Sequence, residues 1–135
     1  MKFAATALTA LLMATAAHAG QAADVAKQWG LIGKWAVNCP DGQTISYEVE
    51  PDGRLISDNG TKAIDEIETA SVNEEKQLIL SYISTREQVQ RTLIIDRKGD
   101  TIRPILNRNS RNEYTVRNSK FEATGQETAW LQKCR

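Results

Sequence analysis

Histidine and methionine are nearly missing from this chain of 135 residues: His18, Met1 and Met13 are the only ones, and all lie near the start. Lys2 is followed by an apolar or small run over 3–16, and Ala17-His18-Ala19 precedes Gly20. This pattern predicts a secretory leader over residues 1–19, with one domain over 20–135. An alternative is a buried helix of the fold, because alanine-rich runs are good helix formers. The run is too short to span a membrane, and Gly20 stands where a lipid-anchor cysteine would be. With the leader removed, neither histidine nor methionine remains. That argues against a histidine base, a histidine metal site and the usual axial ligands of haem, so no catalytic residue, metal or cofactor is expected.

Charge of one sign is also lacking. The whole chain carries seventeen cations and seventeen anions, and loss of Lys2 leaves sixteen against seventeen. A general nucleic-acid footprint needs an excess of cations, so nucleic acid is not an expected partner. The distribution is less even. From Asp41 to Glu75 there are ten acids and two bases, and from Arg86 to Lys120 nine bases and four acids. Such a split either steers a charged partner to one side or is used up in pairing between strands. The acids Asp65, Glu66, Glu68, Glu74 and Glu75 lack a calcium-loop spacing. Glu48 and Glu50 share a strand face without a glycosidase motif.

Cysteine is scarce too. Cys39 and Cys134 lie far apart with no C-x-x-C spacing, so one disulfide is expected in an oxidising compartment, the periplasm or the medium. Closing so long a loop is worth on the order of 4 kcal/mol in the chain-entropy account.

What is present is mostly two-residue periodicity. Ala22, Val25, Ala26 and Trp29 have helical spacing and end at Gly30, which predicts one short amphipathic helix. Beyond it, turn signals recur every eight to twelve residues, which predicts strands over 34–39, 43–50, 54–57, 62–70, 76–84, 87–96, 101–107, 113–117 and 128–134. The segment 62–70 is ambiguous, since Ile64 and Ile67 suit either a helical turn or a bulged strand. Pro104 argues for an edge or a bulge. The fold class is mainly β, a small antiparallel up-and-down barrel of eight or nine strands or else a sandwich, with a short N-terminal helix and one disulfide. A barrel places the first and last strands side by side, where a Cys39–Cys134 bridge would need a stagger or a ninth strand.

The segment Trp29-Gly30-Leu31-Ile32-Gly33-Lys34-Trp35, a helix end followed by G-x-W at the first strand, resembles the opening of lipocalins and related calycin barrels. The resemblance implies that Trp35 closes one barrel end against a basic residue of a late strand, Arg117, Lys133 or Arg135. The same entry is similar to that of bacterial metalloprotease-inhibitor barrels. Cys39-Pro40-Asp41-Gly42 with Ile45 and Tyr47 looks like the early segment of periplasmic lysozyme inhibitors. Both inhibitor families are non-enzymatic.

Two functions are therefore expected of a secreted or periplasmic monomer. The first is a carrier of a small, partly apolar ligand, lined by Trp35, Tyr47, Tyr82, Arg91 and Trp130. Arg91 shares a strand face with Val89, Leu93 and Ile95, so alternation sends a guanidinium inward to a ligand carboxylate, to an internal acid, or outward through a bulge. The second is an inhibitor of a secreted or periplasmic enzyme, a protease or lysozyme. It would dock through Val25 and Trp29 or through the polar tip bearing Arg108, Asn109, Arg111 and Asn112.

Overall fold

The computed structural model describes residues 14–39, 46–58 and 61–135. Most of the expected leader, the turn at Pro40-Asp41-Gly42, the start of the second expected strand and Asn59-Gly60 lie outside them.

Helix α1, Ala14–Trp29, covers the expected helix and runs through the expected cut before Gly20. Ala22, Ala23 and Ala26 are buried, and Val25 and Trp29 pack partly against the same core. Small side chains on this face let the helix lie close to the barrel. The helix stops at Gly30, whose φ is +93°. The amide of Gly30 donates to the Lys27 carbonyl at 3.0 Å and that of Leu31 to the Ala26 carbonyl at 2.9 Å, a Schellman closure that needs a residue free to adopt positive φ. It delivers Leu31 into the core at 2 % exposure.

Ten strands follow among the described residues: β1 Gly33–Ala36, β2 Ser46–Val49, β3 Arg54–Asp58, β4 Lys62–Val72, β5 Leu78–Ser84, β6 Val89–Lys98, β7 Thr101–Asn109, β8 Tyr114–Arg117, β9 Lys120–Phe121 and β10 Leu131–Cys134. Strands β1 to β7 pair in sequence order, and β10 pairs with both β1 and β7, which closes an antiparallel barrel of eight strands. Strands β8 and β9 are additional and continue from the far part of β7. The barrel, rather than the sandwich, is the architecture.

Alternation sets the inner wall. Val49, Leu55, Leu78, Leu80, Leu93, Ile95, Ile102 and Leu131 point inward and form the core with Trp35 and Tyr82. Strand β4 resolves the ambiguity at Ile64 and Ile67. It is a strand with a bulge between Ile67 and Thr69, and its inward residues are Ala63, Asp65 and Ile67, so Ile64 faces outward. A register shift also lies opposite Pro104, where β6 passes from Ile94 to Ile95 against Leu106 and Pro104. Pro104 has no amide hydrogen to give a ladder, so the irregularity falls where it costs least.

The disulfide joins Cys39 to Cys134 with a Cα–Cα distance of 5.6 Å. Register on β10 pairs Lys34 with Cys134, five positions short of Cys39. The chain meets this by leaving the strand after Ala36. Residues 37–39 bend, the Val37 carbonyl accepts from Gln132 Nε2 at 3.4 Å, and Cys39 returns to the last residue of β10. The first strand is therefore shorter than its alternation predicts.

Candidate functional site

Antiparallel order gathers the β3–β4, β5–β6 and β7–β8 turns at one end of the barrel. The other end holds the β2–β3, β4–β5 and β6–β7 turns, and α1 covers it. Trp29 Nε1 donates to the Lys76 carbonyl at 2.9 Å, and the Trp29 carbonyl accepts from Arg97 Nη2 at 2.5 Å, with the Arg97 guanidinium 4.1 Å from the Trp29 ring centroid. Gly53 in the β2–β3 turn has Ala23 as its neighbour.

Trp35 also belongs to this covered end. It is 3 % exposed, and its Nε1 donates to the Leu31 carbonyl at 2.7 Å. Of the three basic residues that the G-x-W resemblance offers as partners, Lys133 is the one over the ring, with Nζ 5.7 Å from the centroid. It lies directly opposite Trp35 on β10. A side chain at Gly33 would put Cβ 2.7 Å from Lys133 Cε, so the glycine leaves the path along which the lysine stem crosses. Arg117 instead covers Tyr114 at 3.8 Å and pairs with Glu122 at 3.1 Å.

Inside the barrel is a hollow of about 310 Å³. This is at the small end of the range for small-molecule sites. Toward α1 its wall is apolar, made by Leu31, Trp35, Val49, Leu55, Ile95 and Leu131. Toward the opposite turns it becomes polar, with Ser57, Asp58, Asp65, Ser84, Arg86, Glu87, Arg91 and Asn107. The gradient follows from strand direction: Ser57 lies nearer the uncovered end than Leu55 on β3, Ser84 lies beyond Tyr82, Leu80 and Leu78 on β5, and Arg91 lies nearer that end than Leu93 and Ile95 on β6.

Arg91 points inward, as its alternation predicts, and is 7 % exposed. An internal acid meets it. Nη2 donates to Glu87 Oε2 at 2.6 Å, and Nη1 donates to Asn107 Oδ1 at 3.0 Å. Asn107 Nδ2 in turn donates to the Tyr82 hydroxyl at 3.2 Å. The chain Glu87, Arg91, Asn107, Tyr82 thus runs from the turn into the wall. Burial raises the Tyr82 pKa above 10.0, and Asp65 and Glu87 add to the rise, while Asn107 and Arg91 oppose it. Burial likewise raises that of Tyr47, with a smaller push from Tyr82.

Of the five residues expected to line a ligand site, Trp35, Tyr47, Tyr82 and Arg91 lie on the hollow. Trp130 does not. It precedes the inward Leu131, and its ring is covered by the Arg103 guanidinium at 4.4 Å. Asp65, Glu87 and Asn107 were not expected on the wall of the hollow, although the alternation Ala63, Asp65, Ile67 already sends a carboxylate inward. That carboxylate is satisfied locally, accepting from the Thr85 amide at 2.8 Å and hydroxyl at 2.9 Å.

The residues expected to meet a partner enzyme are divided between packing and surface. Val25 and Trp29 are engaged with the barrel. Asn109 is 4 % exposed, and its Oδ1 accepts from the amides of Arg111 and Glu113 at 2.9 and 3.0 Å, so it builds the β7–β8 turn. Asn112 takes φ +62° there, and Arg108 and Arg111 are exposed. Among the described residues no helix is long and apolar enough to cross a membrane.

No protein-family model matches this chain, and no curated protein or solved structure matches it significantly.

Proposed function

We propose that this protein is a non-enzymatic, lipocalin-like carrier that works in the periplasm or outside the cell after loss of its leader. It takes up one small, partly apolar molecule in the barrel. The observation that supports this most directly is the hollow of about 310 Å³ with an apolar floor and a polar end, in a fold whose small members are often filled by side chains. Transfer of an apolar ligand body to that floor is worth about 25 cal/mol per Å² of surface removed from water, and polar groups at the other end orient it. The inhibitor reading has less to stand on, because Val25, Trp29 and Asn109 already serve packing and turn formation.

Titration with phenylnaphthylamine, a neutral dye that brightens in apolar surroundings, tests the proposal. A saturable rise in emission at one dye per chain is expected, lost when Ala63, a small residue on the hollow, is replaced in Ala63→Phe. Emission that does not saturate, or that is unchanged in the folded variant, would contradict it.

A further inference from the structure

We infer that the barrel selects an uncharged amphiphile, its polar group hydrogen-bonded to the Tyr47 hydroxyl, over the ionised carboxylate of the same chain length. This rests on the carrier reading and adds the class of ligand.

Three observations carry it. The first is that Arg91, the residue that alternation aims at a ligand carboxylate, is already engaged by Glu87 at 2.6 Å and by Asn107 at 3.0 Å. An entering carboxylate would only exchange one anion for another. The second is the balance of charge among the described residues around the hollow, where Asp58, Asp65 and Glu87 face Arg86 and Arg91, while Arg103 turns its guanidinium onto Trp130. With three acids against two bases there is no net positive field to offset the cost of stripping water from an anion. If Glu87 yielded its place, its charge would be left beside the other two acids.

The third is the Tyr47 hydroxyl, which lies beside the apolar floor. Tyr82 accepts from Asn107, and Asp65 accepts from Thr85. The Tyr47 hydroxyl lines the hollow and makes no hydrogen bond among the described residues. Tyr47 follows the apolar floor residue Val49 at the next inward position of β2. A ligand body seated on that floor would bring a hydroxyl or carbonyl to it. A neutral group of this kind loses little on leaving water and satisfies the phenol, whereas a ligand lacking it leaves the phenol unpaired.

Displacement of phenylnaphthylamine from the intact protein at neutral pH, by decanol and by decanoate, tests the inference. Decanol should displace the dye at about tenfold lower concentration than decanoate. Tyr47→Phe should weaken decanol about fivefold, the worth of one ordinary hydrogen bond, measured against the dye's own affinity in that variant, with an unchanged circular dichroism spectrum reporting an intact barrel. Glu87→Gln, which frees the Arg91 charge, should tighten decanoate and leave decanol unchanged. Decanoate equal to or better than decanol in the unaltered protein would overturn the inference, as would decanol insensitive to Tyr47→Phe or displacement by neither compound. In those cases the carrier reading survives on the dye. Failure of the dye to bind would instead remove the carrier reading, and the inference with it.

Discussion

Single inward side chains decide what this barrel can hold. Tyr47 and Tyr82 illustrate the electrostatic cost of that position, since each is held above the ordinary phenol pKa chiefly by burial. The folded state therefore keeps its phenolic protons to higher pH than the unfolded chain. Their contribution to stability is complete below about pH 10 and declines as pH rises from there through the folded values. Urea unfolding followed between about pH 8 and about pH 11 should show a falling midpoint above about pH 10, with a smaller fall in Tyr47→Phe. An unchanged slope in that variant would contradict the assignment. The sequence was informative at this scale where alternation is strict. It sends Arg91 inward beside Leu93 and Ile95, and it leaves open which partner Arg91 finds. Glu87 is four positions away across a turn, and only the turn's path brings its carboxylate back to Arg91. Asp65 was legible in principle, but the spacing of Ile64 and Ile67 hides it, because those two isoleucines face opposite sides.

Elements are shaped by what lies at their ends. Helix α1 stops where Gly30 adopts positive φ, and β1 begins three residues later at Gly33, whose φ is +133°. Only glycine takes that conformation without strain, and a Cβ there would meet the stem of Lys133 at 2.7 Å. Gly33→Ala should cost about 1–3 kcal/mol in urea unfolding, more from the backbone than from the lysine, which can move aside. Lys133→Met should cost clearly less, and the reverse order would contradict this account of the corner. Periodicity located nine of the ten strands, and the exceptions have physical causes. Strand β9 has only two residues, Lys120 and Phe121, too few to show a period. Strand β1 ends at Ala36 although Val37 and Cys39 continue its alternation, because the disulfide partner lies back along β10. The ninth expected strand begins at Leu131 rather than three residues earlier, and Thr128 is instead held by the Pro104 and Ser119 carbonyls.

For the whole molecule, closure is the central property. Strand β10 bridges β1 and β7, and the Cys39–Cys134 bond ties the two ends of the described barrel across 95 positions of sequence. Replacing both cysteines by serine should lower stability by about 2–5 kcal/mol, since the reduced chain recovers the freedom of a long loop. Differential scanning calorimetry with and without reductant checks this, and equal melting temperatures would contradict it. The closed barrel was legible from turn spacing, helix position and the two cysteines together. Whether it is hollow was not, because the space left inside depends on how eight strands tilt and how side chains such as Ala63 and Ser57 fail to fill it.

The hollow is where fold and function meet, and native mass spectrometry of the protein purified without denaturation from the cells that make it measures its use most directly. The account predicts a stoichiometric extra mass of a few hundred daltons that leaves on gentle activation, carried by a neutral molecule. A bare protein under the same conditions, unchanged by added neutral amphiphile, would contradict it.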